Sequence, residues 1–224
     1  MGGAFFVWGS MTEADPGLVN IRNPHQLPPA FHPGRGKTTM AQTRTPIMDE
    51  KAVRRALSRM AREITERTGG PEGLVLMGIH RRGDEIAALL RDEIQKAEGI
   101  EPALGSVDIT LYRDDLGTIG PRPVVGESTL PPDGIDGRIV VIVDDVLYTG
   151  RTARAALNEL MDWGRPSRVY LCVLVDRGGR ELPIQPDIVG RKIEVIGNRR
   201  IEVLVPELDG GLAVEILKAV AGGS

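Results

Sequence analysis

The chain has 224 residues, of which 28 are lysine or arginine and 31 are aspartate or glutamate, so its formal net charge is −3 at pH 7. This length suffices for one large α/β domain, and the near balance of charge excludes a polycation that coats nucleic acid. No apolar run reaches the roughly 18 residues that a membrane helix needs, and the single cysteine excludes an internal disulfide. We therefore expect a soluble, cytoplasmic protein with no membrane partner.

The first part of the chain is irregular. Residues 1–47 show neither helical nor strand periodicity, and prolines are scattered through them. We expect either a disordered extension or a segment that is included only because the start of translation was assigned too early, since Met40 offers an alternative start. Residues 48–224 are predicted to form a single domain.

From Met48 onward, apolar strands alternate with amphipathic helices. The first helix carries an apolar stripe at the spacing of one helical face, formed by Val53, Leu57, Met60 and Ile64. Strands are predicted at 73–79, 106–111, 138–146, 168–175 and 201–208, and helices within 80–99 after a turn at Gly83, from Ala153 to Gly164 and, at the end of the chain, at 211–220. This alternation predicts an α/β fold with a doubly wound, mostly parallel sheet flanked by helices.

A long connection interrupts this pattern. Residues 112–132 are charged, aperiodic and too many for a plain link between two elements. Structureless loops longer than about 12–15 residues are usually functional or disordered. We expect this one to be a mobile loop, or hood, over a site.

The strand at 138–146 leads into the residues that carry chemistry. It ends in two adjacent carboxylates, Asp144 and Asp145, at the edge where open α/β sheets bind ligands. Residues 149–152 then form a turn before a helix, where backbone N–H groups and the helix dipole suit an anion. A ribose monophosphate needs both halves, because carboxylates accept from its 2′- and 3′-hydroxyls while the turn holds its 5′-phosphate. The alternative is a simple helix cap, since Asp and Thr both favour that position.

A second pattern lies on the first helix. Lys51, Arg55, Arg59 and Arg62 repeat along a face other than the apolar one. Such a basic row is either a solvated helix face or a binding surface for an anionic partner.

The segment VVIVDDVLYTGRT at 140–152 resembles the phosphoribosyl-pyrophosphate (PRPP) binding motif of type I phosphoribosyltransferases. The chain is also similar to the PyrR family of pyrimidine-operon attenuation regulators over about residues 48–217. The stretches that carry this similarity are RRALSRMAREI at 54–64, GIHRRG at 78–83, DITLYRDDL at 108–116 and LVDRGGRELPIQPDIVG at 174–190.

The resemblance implies a type I phosphoribosyltransferase fold and two functions. One is the conversion of uracil and PRPP to UMP and pyrophosphate, with Mg²⁺ bound largely through PRPP and pyrophosphate. The other is binding of the pyrimidine-operon (pyr) mRNA leader under the control of UMP or UTP, which regulates transcription attenuation. The resemblance also implies a homo-oligomer, dimeric or higher.

The family's roles transfer to individual positions. Asp144, Asp145 and Arg113 are the implied catalytic residues, and Asp114 and Asp115 help to place Mg²⁺. The implied substrate-binding residues, with pyrophosphate at the first three and uracil at the last three, are Arg81, Arg82, Gly83, Val146, Leu147, Tyr148, Thr149, Gly150, Arg151, Thr152, Asp176, Arg177 and Val189. The implied RNA-binding residues are Arg55, Ser58, Arg59, Arg62, Arg154, Arg180 and Arg191.

The chain departs from the family pattern at several positions. Arg62 and Gly179 stand where the family has histidine, and Gln185 stands where it has arginine. Residues 192–196 read KIEVI where the family has an NIPTS-like segment, and residues 80–81 read His-Arg where it has Lys-Thr. The alternative function is therefore a phosphoribosyltransferase that acts on uracil or another base, including a purine, without RNA regulation.

Overall fold

The computed structural model describes residues 42–109, 128–195, 197 and 199–219. In chain order its elements are β1 (Gln42–Met48), α1 (Glu50–Thr68), β2 (Leu74–Ile79), α2 (Arg82–Glu98), β3 (Ala103–Val107), β4 (Ile139–Leu147), α3 (Arg151–Trp163), β5 (Arg168–Asp176), β6 (Ile188–Lys192), β7 (Arg199–Leu204), α4 (Pro206–Asp209) and β8 (Ala213–Ala219). Across these ranges, no helix is both long enough and apolar enough to cross a bilayer.

The larger sheet has five parallel strands in the order β3-β2-β4-β5-β6. Alternate residues of β4 point to opposite faces: Val141 and Val143 pack in a cluster with α1 and α2, and Val140 and Ile142 in a cluster with α3. Burial on both faces explains why the strand is continuously apolar. The predicted doubly wound sheet is confirmed.

Helix α1 follows the predicted apolar stripe. Its four stripe residues are fully or almost fully buried. Asp49 caps the helix, because its Oδ1 accepts from the Ala52 N–H at 2.7 Å. Gly69 ends it in the left-handed conformation, with φ at 77°, and donates its N–H to the Thr65 carbonyl.

The predicted terminal helix over 211–220 is wrong, because residues 213–219 form strand β8. This strand lies in the middle of a second, three-stranded antiparallel sheet of order β1-β8-β7. Its backbone groups pair on one side with β1, which is distant in sequence, and on the other with β7, the preceding strand. Val214 and Ile216 alternate with Glu215 at the period of a strand, which also fits this outcome.

Other boundaries differ in detail. The predicted boundary after residue 47 falls at the end of β1, so residues 42–47 belong to the second sheet. Strand β3 starts earlier than the predicted 106–111 and is an edge strand, and β6 is an element that sequence inspection missed. Strand β7 stops before Pro206, which starts α4 and cannot donate a backbone hydrogen bond. Residues 1–41, and residues 112–127 of the predicted hood, lie outside the described residues.

Candidate active site

Strand β4 carries Asp144 and Asp145 to the carboxyl edge of the parallel sheet. Asp144 is 5% exposed and Asp145 is half-buried. Asp144 Oδ1 accepts from the Asp145 N–H, and Asp145 Oδ1 accepts from the Val146 N–H, both at 2.9 Å. The backbone therefore fixes the orientation of both carboxyl groups.

Burial makes this pair costly to ionise. Desolvation raises the pKa of Asp144 well above its ordinary value, and the neighbouring Asp145 carboxyl raises it further. Desolvation also raises the pKa of Asp145, against hydrogen bonds from Asp144 and the Val146 N–H and the positive charge of Arg82. A ligand whose hydroxyl groups donate hydrogen bonds to these carboxylates would offset the cost of their burial.

The turn at 149–152 lies next to the pair, at the N-terminus of α3. Gly150 has φ at 92°, and a Cβ there would lie 3.4 Å from the Cβ atoms of Leu182 and Ile184. The Thr149 carbonyl accepts from the Glu181 N–H at 3.0 Å and from the Leu182 N–H at 3.1 Å. The segment after β5 thus holds the turn from one side, and the helix N-terminus offers its N–H groups to an anion.

A second helix N-terminus approaches the pair from β2. The turn at 81–83 leads into α2, and the peptide bond between His80 and Arg81 is cis. A Cβ on Gly83 would lie 2.6 Å from the Val143 carbonyl oxygen and 3.4 Å from Asp144 Cα. Only glycine lets this turn lie directly against β4. The structure therefore brings the carboxylate pair and both predicted anion-binding turns together at one edge of the sheet.

Arg82, a predicted pyrophosphate ligand, has partners that sequence inspection did not predict. Its Nη2 donates to Asp209 at 3.0 Å from Oδ1 and 3.3 Å from Oδ2. Glu202 lies 3.9 Å from the same nitrogen. Glu202 lies in the predicted strand at 201–208 and Asp209 directly after it, and no local pattern in the sequence links either residue to Arg82.

The segment after β5 is tied to the same edge by an arginine. Arg180 donates to Asp176 Oδ1 at 2.6 Å, to the Tyr148 carbonyl at 2.9 Å and to the Ile184 carbonyl at 3.0 Å. Its side chain is 12% exposed. The guanidinium of this predicted RNA ligand is thus directed at the chain's own acceptors.

The predicted uracil-side residues are only partly grouped. Arg177 lies over the Tyr148 ring at 3.7 Å from its centroid, and a Cβ on Gly179 would lie 2.5 Å from that ring. Asp176 ends β5 beside them. Val189, by contrast, pairs with Val173 and lies near the start of β6, away from the carboxyl ends of the strands.

The basic face of α1 is a separate surface. Arg55, Arg59 and Arg62 are exposed along it, with Ser58 half-buried among them. Arg59 also donates to the carbonyls of residues 189 and 190, at 2.8 and 2.6 Å, next to the exposed Arg191. Of the predicted RNA-binding set, Arg154 lies on α3, which covers the opposite face of the sheet. The catalytic candidate Arg113 and the metal candidates Asp114 and Asp115 lie outside the described residues.

Comparison with known proteins places these features in context. The phosphoribosyl transferase domain family matches residues 44–208. The chain is 53% identical over 163 residues to the Bifunctional protein PyrR of Herpetosiphon aurantiacus, a match that covers 73% of this chain and 90% of that protein. It is also 53% identical over 170 residues to the Bifunctional protein PyrR of Thermus aquaticus, covering 76% and 93%.

Solved structures with lower identity share the fold. A hypoxanthine phosphoribosyl transferase of Trypanosoma cruzi matches with a TM-score of 0.60 and 19% identity, covering 78% of this chain and 91% of that one. A hypoxanthine-guanine phosphoribosyltransferase of Bacillus anthracis matches with a TM-score of 0.59 and 17% identity, covering 79% and 98%.

Proposed function

The chain belongs to the phosphoribosyltransferase family and, within it, to the PyrR proteins, and on this basis we propose that it has two activities. It converts uracil and PRPP to UMP and pyrophosphate, and it regulates pyrimidine-operon attenuation by binding mRNA in a uridine-nucleotide-dependent way. The main support for the enzymatic activity is the position of Asp144 and Asp145 between the N-termini of α2 and α3.

The reaction exchanges one bond at C1′ of the ribose. The bond from C1′ to the pyrophosphate oxygen breaks with its electron pair, the bond from C1′ to uracil N1 forms, and the N1 proton leaves to solvent. Positive charge develops at C1′. Asp144 and Asp145 accept from the ribose hydroxyls, the turn at 149–152 holds the 5′-phosphate, and the turn at 81–83 faces the pyrophosphate. Catalysis is then mainly positioning and electrostatic stabilisation.

Magnesium fits this site through the substrate. Mg²⁺ usually keeps waters and binds through one or two carboxylates plus substrate phosphates. Within the described ranges, no group of three or more histidine, cysteine or carboxylate side chains could hold a metal by itself. We therefore assign the ion mainly to PRPP and pyrophosphate oxygens, with Asp114 and Asp115 as proposed helpers. When bound, it neutralises charge on the departing pyrophosphate.

Substitution of the carboxylate pair tests the enzymatic proposal. Asp144→Asn and Asp145→Asn should each lower kcat/KM for PRPP about 10- to 100-fold, which is what loss of a hydrogen bond to a charged group costs. Asp187→Asn is the matched control, because Asp187 also accepts a backbone N–H, from Leu171, but at the start of β6. Unchanged activity in both site variants would refute the assignment.

The identity of the base that reacts with PRPP is tested separately. An assay with PRPP and uracil, hypoxanthine, guanine or adenine should give product with uracil. Product with a purine alone would replace this proposal by the alternative phosphoribosyltransferase.

The regulatory activity is supported by the exposed arginines of α1. A gel-shift titration with the pyrimidine-operon leader RNA should show binding that UMP strengthens and that weakens as salt rises. Arg62→Gln should weaken binding, whereas Arg54→Gln, an equal charge change at an arginine of the same helix that pairs with Glu50, should not. If the wild type does not bind at low salt, only the enzymatic activity remains.

We place both activities in the cytoplasm, where the single buried cysteine, Cys172, stays reduced. The family resemblance also leads us to propose a homo-oligomer, which light scattering of the purified full chain checks.

A further inference from the structure

The interaction that joins the second sheet to the candidate active site is the contact between Arg82 and Asp209. Arg82 opens α2 in the predicted pyrophosphate turn, and Asp209 ends α4 after strand β7. One nitrogen of Arg82 lies 3.0 and 3.3 Å from the two Asp209 carboxylate oxygens. A charge-assisted contact of this kind fixes the direction of a long, flexible side chain.

Asp209 is itself firmly placed. Its Oδ2 accepts from the Val205 N–H at 3.0 Å, and its own N–H donates to the Val205 carbonyl at 2.9 Å. Val205 is completely buried in the core shared with α1 and α2. The carboxylate therefore has a rigid support, and its side chain is only 20% exposed.

Glu202 plays a smaller part in holding Arg82. It lies 3.9 Å from Arg82 but 2.9 Å from Arg44, which also contacts Glu215 at 2.9 Å. The charge of Glu202 is thus already shared with Arg44. Asp209 is the principal partner of Arg82.

Arg82 also lies close to the carboxylate pair of the candidate active site. Its neighbour Gly83 lies directly against the Val143 carbonyl and Asp144. The positive charge of Arg82 also lies near enough to Asp145 to oppose the rise in the pKa of that carboxyl. Among the described residues, Arg82 Nε is buried and has no hydrogen-bond partner, so Asp209 does not use the full donor capacity of the guanidinium.

We propose that Asp209 is a positioning residue that holds Arg82, and with it the pyrophosphate turn, in the orientation that PRPP needs. This inference rests on the proposed function, because it assumes that the turn at 81–83 meets pyrophosphate. The connection between β7 and β8 of the second sheet then serves the reaction without touching the substrate itself, because it supplies the anionic support for a cation in the first sheet's active site.

Asp209→Asn in the full chain tests the inference. Asparagine keeps an oxygen that accepts from the Val205 N–H, so the variant removes the charge and preserves the local fold. The KM for PRPP should rise about 5- to 10-fold, as expected for a charge-assisted hydrogen bond that is partly open to solvent. The KM for uracil and the Tm should change little. Glu215→Gln, which removes a carboxylate of the same sheet that contacts Arg44, is the control and should leave both KM values unchanged.

A double-mutant cycle separates positioning from a general structural effect. Arg82→Gln should raise the KM for PRPP by at least as much as Asp209→Asn, and the double variant should match Arg82→Gln alone. An additional loss in the double variant equal to that of Asp209→Asn would overturn the inference, as would an unchanged KM in Asp209→Asn.

The failures of the two proposals are distinguishable. If the wild type neither binds PRPP in calorimetry nor turns over any base, the proposed function fails and this inference fails with it. If the wild type is active and Asp209→Asn keeps a normal KM for PRPP, only the role of Asp209 is refuted.

Discussion

The two sheets of this protein use the same apolar residue types but bury them differently. Strands of the parallel sheet are covered on both faces, so β4 is apolar at every position before Asp144. In the antiparallel sheet, Ile201 and Val203 pack into the core while Glu202, between them, lies on a face that carries ion pairs. A strand with one polar face has a shorter and weaker apolar pattern than β4, so β8 is harder to recognise from its sequence.

The two sheets also contribute differently to the site. The parallel sheet holds the carboxylate pair and both helix N-termini that surround it. The connection between β7 and β8 of the antiparallel sheet contributes a support, through the contact between Arg82 and Asp209. Matched substitutions in the two sheets can therefore distinguish loss of catalytic activity from loss of stability.

The largest combined effect on activity and stability is expected at a glycine of the parallel region. In Gly83→Ala the new Cβ would lie 2.6 Å from the Val143 carbonyl oxygen, so the turn at 81–83 must move away from β4. We expect at least about a tenfold loss of kcat/KM for PRPP and a destabilisation of roughly 1–3 kcal/mol. Steady-state kinetics measures the loss of kcat/KM, and urea unfolding measures the destabilisation. Gly211→Ala, before β8, is the control, since no atom lies within 4 Å of its Cβ; equal behaviour of the two variants would contradict the close packing at Gly83.

Truncation of a buried isoleucine in each sheet compares the two cores. Ile142 in β4 is fully buried, and Ile201 in β7 is 6% exposed. We expect Ile142→Ala to cost about 3–5 kcal/mol and Ile201→Ala about 2–3 kcal/mol, because the one-sided sheet can relax around the smaller side chain. Urea denaturation of both variants gives the free energies of unfolding. A larger loss for Ile201→Ala would reverse the ranking of the two cores.

A smaller effect, of opposite sign, is expected at Asp144. Burial raises its pKa above the ordinary value, so the folded protein binds this proton more tightly than the unfolded chain does. The resulting stabilisation is complete below the ordinary aspartate pKa of about 3.9 and is lost as the pH rises through the raised value. Ionisation of this buried carboxyl at higher pH therefore destabilises the fold.

Asp144→Asn should accordingly raise the Tm at pH 7.5 by about 2–4 °C, which corresponds to about 1 kcal/mol in a chain of this size. The gain should shrink as the pH falls towards 4. Calorimetric scans across that range measure it, with Asp133→Asn, in an exposed turn, as the control. A Tm difference independent of pH would show that the effect of the substitution is not electrostatic.

The smallest effect is expected on the polar face of the antiparallel sheet. Glu202 and Glu215 are directly opposite each other in β7 and β8, and Arg44 contacts both. Arg44→Met removes that bridge between two like charges, yet the side chain is half exposed, so we expect a loss of stability well below that of Ile201→Ala, and one that diminishes with salt. Urea unfolding at low and high ionic strength checks it. A loss comparable to that of Ile201→Ala would mean that ion pairs, rather than burial, stabilise this sheet.

Much of the parallel region could be predicted from local pattern. The stripe of α1, the apolar strand β4 and the Asp-Asp pair before a Thr-Gly-Arg-Thr turn each reflect a requirement that neighbouring residues satisfy together. A strand buried on both faces must be apolar throughout, and a turn that starts a helix needs small and polar residues. These requirements are visible without knowledge of the neighbours in space.

The remaining features depended on contacts that form only in the folded chain. Strand β8 takes its conformation from β1 and β7, which lie on both sides of it. Arg180 is a surface cation in the sequence, but in the structure it donates to carbonyls and to Asp176.

By itself, the sequence determined the doubly wound class, the position of the carboxylate pair and the turn at 149–152 that starts a helix, because each depends on residues close together in the chain. The tertiary structure alone decided which arginines face solvent and which are held internally, and that Asp209 meets Arg82 across 127 positions of sequence. The tertiary structure decides these points because the energy of a charged group depends on its neighbours in space. The net value of −3 records only how many charged groups the chain has, whereas their action depends on the distances and the burial that folding creates.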